Sequence, residues 1–176
     1  MAWRSEGNHM SQSALVELLR GKGAHVDPLA CLEDLPTEAA SRTIPAFPHS
    51  IWQLLSHMNY WMDYEIRRID GSTPHYPQHA AESWPAQAAP PTDADWQAEI
   101  ERFGSLLERQ AQIAQSDPAV LLREIPRAHE QQAGKSSNVG ALLWQTVVHN
   151  SYHTGQIAMI RRALGRWPPS RGGDSW

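Results

Sequence analysis

Two histidines four residues apart are the side chains of this sequence best suited to chemistry. His149 and His153 have i,i+4 spacing, which places both imidazoles on one side of a helix, where they can chelate one ion. With nine histidines in 176 residues, about 0.5 such pairs are expected by chance, so the spacing alone is weak support. A second pair, His75 and His79, encloses Pro77 and cannot lie on a helix, so we interpret it as a coincidence.

The surroundings of His149 and His153 distinguish them from that second pair. On a helical wheel both rings fall in the centre of an apolar stripe that also contains Leu142, Ile157 and Ile160. Burying two polar rings is costly unless each finds a partner, and one shared cation is a partner for both. The alternative is two core histidines that hydrogen-bond to backbone or hydroxyl groups.

A third ligand is expected from a facing helix. His57 stands on the flank of the second predicted helix, on the same side as Trp61, and helical bundles build metal sites from facing helices. With the pair on the fourth helix it would form a neutral three-histidine set with open coordination positions, whereas alone it would be structural. His25 is a further candidate for the pocket, while His49 and His129 are interpreted as structural or solvated.

Three other side chains are candidates for the surroundings of the ion. Gln156 faces the same way as His149 and His153, either as a hydrogen-bond partner of a ligand or as a substrate contact. The alternative for Gln156 is a simple bond between helices. Tyr152 and Trp61 are candidates for the pocket wall, although aromatic residues at helical spacing more often belong to a core.

The first of the helices that must position these residues is interrupted by helix breakers. Apolar residues at helical spacing begin near Ser11, and glycines and the Asp27-Pro28 pair follow. The apolar spacing then resumes and continues to Leu35. We predict a single first helix with a kink.

Three further helices are delimited by capping and stop signals. Their starts are marked by Ser50 with Gln53 in a capping box, by Thr92, and by Ser137 or Asn138. Their ends are marked by Gly71, by Asp117-Pro118, and by Gly165. These signals place His57 on the second helix, and His149 and His153 on the fourth.

The fold class predicted from these elements is all-α, since no segment alternates in the manner of a strand. Residues 1–10 are expected to be a leader, disordered or left from cloning, and residues 11–176 a single helical domain. The proline-rich connection from Asp70 to Pro91 is long for a helical bundle. It is either a lid over the site or a surface strap packed by Trp84 and Tyr76.

Composition excludes several classes of partner. The 15 basic residues against 19 acidic ones give a net charge of -4 without a basic run, which does not suit nucleic-acid binding. Apolar runs reach only four residues, far short of the roughly 20 needed to span a bilayer. A lone cysteine, Cys31, and the lack of a secretory signal favour the cytoplasm.

A second apolar face on the fourth helix indicates a further interface. Trp144, Val148 and Met159 lie together on the wheel, away from the histidines, and Gly155 lies among them. A glycine inside a helix costs about 1 kcal/mol relative to alanine, which suggests close approach by another helix. We expect a homodimer.

His57, His149 and His153 occur in segments that resemble a known family. The segments PHSIWQLLSHMNYW (48–61) and VVHNSYHTGQIAMIRRALG (147–165) resemble the DinB-like superfamily, and GAHVDPLACLEDL (23–35) resembles its YfiT-like branch more loosely. That superfamily includes YfiT-like metal-dependent hydrolases and the bacillithiol and mycothiol S-transferases. The resemblance implies a four-helix bundle with an up-down-down-up course, and frequent homodimers.

The same resemblance implies a ligand set. Matched to the family motif, His57, His149 and His153 are expected to bind a divalent ion, usually nickel or zinc. Asn150 occupies the position that holds the general-base glutamate in an H-E-x-x-H motif, so a zinc peptidase is not favoured and no protein base is identified.

The chemistry expected of such a site depends on what binds the ion. Three neutral ligands leave the 2+ charge uncompensated, which activates a metal-bound water or a metal-bound thiol as the nucleophile. We favour a thiol-dependent S-transferase over a hydrolase, acting on a small molecule such as a low-molecular-weight thiol. The alternative is a non-catalytic metal-binding homodimer associated with stress.

Overall fold

The computed structural model describes residues 12–126 and 137–172. This part of the chain is mostly helical, as the sequence predicts. The predicted leader, residues 1–10, and His129 lie outside the described residues, and the extent of the domain stays a prediction. None of the described helices is long and apolar enough to cross a membrane.

The first predicted helix is not one kinked helix, and that prediction is wrong. Helix α1 covers residues 12–19 and is followed by turns, a 3-10 turn at Ala30–Leu32 and the short helix α2 at Thr37–Ala40. Gly21 and Gly23 take φ values of 70° and 76°, left-handed conformations that end a helix. Apolar spacing alone does not distinguish a 3-10 turn from a longer helix.

The second predicted helix is α3, Ile51–Ile69, and it carries His57. Its capping box is confirmed, because the Ser50 side chain accepts a hydrogen bond from the Gln53 amide and the Gln53 side chain accepts one from the Ser50 amide. After Asp70, the C-cap, Gly71 has a φ of 90°, which turns the chain into the long connection.

The third predicted helix is α4, Asp93–Ala114, capped by Thr92 as expected. Beyond it Asp117 caps an additional short helix, α5, Pro118–Leu122, instead of ending α4. Strand β1, Glu124–Ile125, then pairs antiparallel with β2, Ser137–Asn138. We did not predict these pieces, because two residues per strand are too few to show an alternating pattern.

The fourth predicted helix is α6, Val139–Ala163, which carries His149 and His153. Asn138 is its N-cap and accepts a hydrogen bond from the Ala141 amide. Gly165, with a φ of 69°, follows the C-cap, as the sequence predicts. Helix α3 packs against both α4 and α6, so His57 faces the pair on α6.

A buried arginine joins α6 to the segment that follows α1. Arg161 is 2% exposed and donates hydrogen bonds to the carbonyl oxygens of Cys31 and Glu33. Burial raises the pKa of the Cys31 thiol to about 12, against the opposing effect of Arg161, so this thiol is protonated at neutral pH. Arg161 and Cys31 therefore belong to the core.

Candidate metal centre

Three imidazoles from α3 and α6 converge on one point. The Nε2 atom of His149 lies 3.2 Å from Nε2 of His57 and 3.1 Å from Nε2 of His153. One ligand atom from each histidine lies within 4.8 Å of the others. His57 and His153 are 7% and 6% exposed, whereas His149 is only partly buried. The structure thus brings together the three residues selected from the sequence.

The other ring nitrogen of each histidine faces an oxygen. Nδ1 of His57 lies 3.3 Å from the Ser83 carbonyl oxygen, Nδ1 of His153 lies 2.6 Å from Gln156 Oε1, and Nδ1 of His149 lies 3.4 Å from Asn150 Oδ1. Carbonyl and amide oxygens only accept hydrogen bonds, so the proton of each neutral ring resides on Nδ1. The three Nε2 lone pairs are therefore left to face one another.

The three rings resist protonation. Burial, reinforced by His149 and His153, lowers the pKa of His57 to about 3. Burial and the neighbouring His153 lower the pKa of His149 to about 4, and burial also lowers the pKa of His153. At neutral pH a shared proton is therefore not what brings the Nε2 atoms together.

The arrangement fits a divalent ion. The Nε2 lone pair of His149 lies about 3 Å from each of the other two, and such lone pairs repel one another unless a cation lies between them. With metal–nitrogen bonds of about 2.0–2.1 Å, two ligand nitrogens are about 3.3 Å apart in a tetrahedral site and about 3.0 Å apart in an octahedral one. The distances of 3.1 and 3.2 Å fall between these values. Neutral imidazole suits zinc and nickel among the first-row metals.

The long connection from α3 to α4 supports the ligand side of α3. Trp84 lies between two histidines, stacked on His49 and on His57 with ring centroids 3.8 Å apart in both pairs. Gln53 donates a hydrogen bond to the Pro85 carbonyl oxygen, and Ser50 donates one to the Ala88 carbonyl oxygen. In this conformation the connection, hereafter the strap, is packed on α3 by Trp84, and His49 has the structural position expected of it.

The remaining candidates from the sequence lie at different distances from the site. Gln156 bonds His153, and its amide nitrogen lies 3.4 Å from the Tyr152 hydroxyl. The Tyr152 ring lies edge-on to His153, and the Trp61 ring edge-on to His57. All three therefore surround the cluster.

His25 is the exception among these candidates. Its Nε2 lies 2.8 Å from the Ser151 hydroxyl and its Nδ1 lies 2.8 Å from the Val26 carbonyl oxygen. Ser151 is two residues from each α6 ligand, which puts it on the other side of that helix. The structure does not bring His25 to the three histidines, because the turn after α1 holds its ring against the far face of α6.

A cavity of about 230 Å³ opens beside the cluster. His149 forms part of its wall, and Trp61 and Tyr76 form another part. Two charged residues of α3, Glu65 and Arg68, also line it, although both are buried. Sequence reasoning missed these two, and their i,i+3 spacing beside the apolar stripe of α3 was the available signal.

The backbone and ring contacts from the connection were also missed. The Ser83 carbonyl oxygen and the Trp84 ring reach His57 from a segment without periodicity. Nothing in the sequence indicates which of its carbonyl groups would meet a ring of α3. Only the abundance of tryptophan, with eight in the chain, pointed to ring stacking near a pocket.

The fold and the histidine cluster together define a class of protein. Its members are mostly helical, and two of their helices carry three converging histidines. The profile of the DinB family matches residues 10–173. The chain is a member of the DinB family, as its segments around His57 and His149 suggest. No curated protein and no solved structure compared with the chain matches it significantly.

Proposed function

We propose that this DinB-family protein binds a divalent metal ion, nickel or zinc, through the Nε2 atoms of His57, His149 and His153. The observation that carries the proposal is the convergence of three Nε2 atoms from rings whose Nδ1 atoms all face oxygens. Family membership and the donor set support it. Gln156 and the Ser83 carbonyl oxygen would hold two of the rings in the ligating orientation.

We further propose that the protein is a metal-dependent enzyme acting on a small molecule, either a thiol-dependent S-transferase or a hydrolase. Three protein ligands are the number found in catalytic zinc sites, where a further position takes water or substrate. A divalent ion supplies Lewis-acid chemistry there, lowering the pKa of a bound water or thiol. The cavity beside His149 gives a substrate its route to the site.

Thiol transfer demands less of this chain than hydrolysis does. A free thiol has a pKa of about 8.5 and water one of about 15.7, so a thiol needs the smaller shift to ionise near neutral pH. Asn150 lies where an H-E-x-x-H motif would hold a glutamate, and its side-chain amide donates to the Met62 sulfur. The residues beside the ligands therefore serve to orient the ligands and to enclose the site rather than to transfer protons.

The other properties in the proposal follow from the family and the composition. They are a four-helix bundle with an up-down-down-up course, a cytoplasmic location, a homodimer and no nucleic-acid partner. The packing of α3 on α4 and α6 supports the bundle, and the net charge of -4 supports the last point. The buried, protonated Cys31 suits a reducing compartment.

Conjugate formation tests the enzymatic proposal. Protein loaded with zinc or nickel is incubated with cysteine or N-acetylcysteine and an aryl halide, and in parallel with aryl esters, and products are followed by mass spectrometry. We expect turnover that requires metal and disappears in His149→Ala, but persists in His75→Ala, which changes an exposed histidine of the strap. Equal product from metal-free protein, or from His149→Ala, would refute the enzyme.

A further inference from the structure

The cavity beside His149 has walls of two kinds. Trp61 and Tyr76 give it aromatic surface, while Glu65 and Arg68 give it buried charge. Its volume of about 230 Å³ exceeds the roughly 150 Å³ that suffices for a benzene ring, yet it is smaller than most drug-sized sites. The occupant that fits is a small molecule with one ring or a similar apolar body.

The charged pair in the wall is only partly satisfied by the protein. Arg68 donates to Glu65 Oε2 at 2.7 Å and to the Pro126 carbonyl oxygen at 2.8 Å, and both residues are buried. An arginine has five N–H donors, and Glu65 Oε1 accepts no hydrogen bond from the described residues. Buried ion pairs add little stability on average, so stability alone does not account for this one.

The hydrogen-bonding groups of Arg68 and Glu65 that have no partner in the described part of the chain define the polar end of a ligand. The pair presents donors on Arg68 beside an acceptor on Glu65, and its net charge is zero. A charged ligand would be attracted by one partner and repelled by the other, whereas a neutral group avoids that repulsion. A carboxamide has an acceptor and a donor side by side and matches the pair.

We propose that this cavity binds a small substrate with an aromatic or apolar body and a carboxamide end, recognised by Arg68 and Glu65. The amide oxygen accepts from Arg68, the amide N–H donates to Glu65 Oε1, and the body lies against Trp61 and Tyr76. The inference rests on the proposed function and deepens it by naming the substrate class. Glu65 and Arg68 are thus specificity-determining residues.

Three matched probes test this specificity: phenylacetamide, phenylacetate and 2-phenylethylamine. Binding is measured by calorimetry and NMR on metal-free protein, because an ion beside His149 would itself attract phenylacetate. We expect phenylacetamide to bind about tenfold more tightly than either charged probe, since it alone satisfies both partners. Nuclear Overhauser contacts to the Trp61 and Tyr76 rings should locate it. Failure of phenylacetamide to bind, or equal binding of all three probes, overturns the proposal.

The variant Glu65→Gln tests the role of the pair. It keeps the shape of the side chain but leaves the Arg68 charge uncompensated, so phenylacetate should become the preferred probe and phenylacetamide should weaken about tenfold. The control Asp63→Asn removes a carboxylate of α3 that does not line this cavity and should retain the wild-type order. An unchanged order in Glu65→Gln contradicts the proposal. If that variant does not fold, the wild-type order still decides.

The outcomes are separable from those of the proposed function. Probe binding to metal-free protein depends on the cavity alone, whereas metal content and conjugate formation depend on the histidines. A protein that loads metal and turns over thiols, yet prefers phenylacetate, would retain the proposed function and lose this inference. A protein that binds phenylacetamide but takes up no metal would retain this inference and lose the proposed function.

Discussion

At the residue scale, the three imidazoles depend on the oxygens behind them. The Gln156 side chain lies 2.6 Å from His153 Nδ1, and the Ser83 carbonyl oxygen lies 3.3 Å from His57 Nδ1. Each contact keeps a proton on the outer nitrogen and leaves the inner one free to ligate. The affinity of the site for an ion should therefore depend on residues that never touch the ion.

Gln156→Ala should weaken metal binding while leaving the fold intact. Loss of the acceptor frees the His153 ring to rotate and to move its proton to Nε2, and such losses typically cost about 10–100-fold in metal affinity. Zinc affinity is measured by competition with a chromophoric chelator. The control is Gln145→Ala, which changes an exposed residue about three turns earlier on α6 and should bind zinc like the wild type. Unchanged affinity in Gln156→Ala would refute this role.

The lowered histidine pKa values should make the metal-free protein less stable in acid. Between pH 6.5 and about 4, the unfolded chain binds protons on these histidines while the folded chain does not. The free energy of unfolding therefore decreases as the pH is lowered through this window. Glu65, whose pKa is raised by burial, acts in the opposite direction because it gains a proton earlier when folded.

The measurement is the melting temperature of the metal-free protein from pH 8 to pH 4. His57→Gln removes one titrating group, so its melting temperature should fall less steeply in this window than that of the wild type. His75→Ala, which removes an exposed histidine, should follow the wild-type profile. A His57→Gln profile parallel to the wild type would contradict the assigned pKa shift.

Sequence periodicity was sufficient for part of this site. His149, His153 and Gln156 are fixed relative to one another by the helix that carries them, so one wheel predicts all three. The proximity of His57 to that pair depends on how two helices pack, which no single wheel contains. The tendency of helical bundles to build metal sites from facing helices suggested that link, and the resemblance to a family supported it.

At the element scale, the N-cap of α3 also holds the strap. The Ser50 hydroxyl accepts from the Gln53 amide at 3.2 Å and donates to the Ala88 carbonyl oxygen at 2.6 Å, and Ser50 is fully buried. The N-cap of α4, Thr92, instead bonds only within its own first turn and is exposed. Loss of the Ser50 hydroxyl would therefore leave the Ala88 carbonyl oxygen without this hydrogen bond, whereas loss of the Thr92 hydroxyl would affect only the first turn of α4.

Ser50→Ala should destabilise the protein more than Thr92→Ala. Loss of an exposed cap costs about 1 kcal/mol, and the partly buried hydrogen bond to Ala88 should raise the cost at Ser50 to about 2 kcal/mol or more. Urea unfolding at neutral pH measures both free energies. Equal costs for the two variants would show that the link to the strap adds nothing.

Element boundaries were predictable where caps and glycines define them. Ser50, Thr92 and Asn138 each start a long helix as predicted, and Gly71 and Gly165 follow the ends of two. The region between α1 and α3 was not predictable, because short turns and a long helix share the same apolar spacing there. The conformation of the strap depends on tertiary contacts with α3, which the local sequence does not encode.

At the scale of the whole molecule, α6 has an apolar face that the described chain does not cover. Trp144, Val148, Tyr152 and Met159 recur on one side of the helix and are between 44% and 68% exposed. Gly155 lies within this face, and no described atom lies within 4 Å of the position a Cβ would take there. No helix of residues 12–126 or 137–172 therefore packs closely on Gly155.

A homodimer through this face remains our proposal, and light scattering tests it. The wild type should have the mass of a dimer at micromolar concentration, because the face is larger and more continuous than singly scattered apolar residues. Val148→Lys should give the monomer mass with an unchanged circular dichroism spectrum. Ser105→Lys, on the exposed side of α4, should remain dimeric. A monomeric wild type would refute the dimer.

The claim on which the account depends is that three histidines from two helices bind one ion, and metal content tests it most directly. Protein purified without a metal-affinity column is analysed for bound metal by elemental analysis, together with His57→Ala, His149→Ala and the control His75→Ala. We predict about one divalent ion per chain in the wild type and the control, with loss of most of it in the two cluster variants. The same metal load in all four proteins would contradict the account.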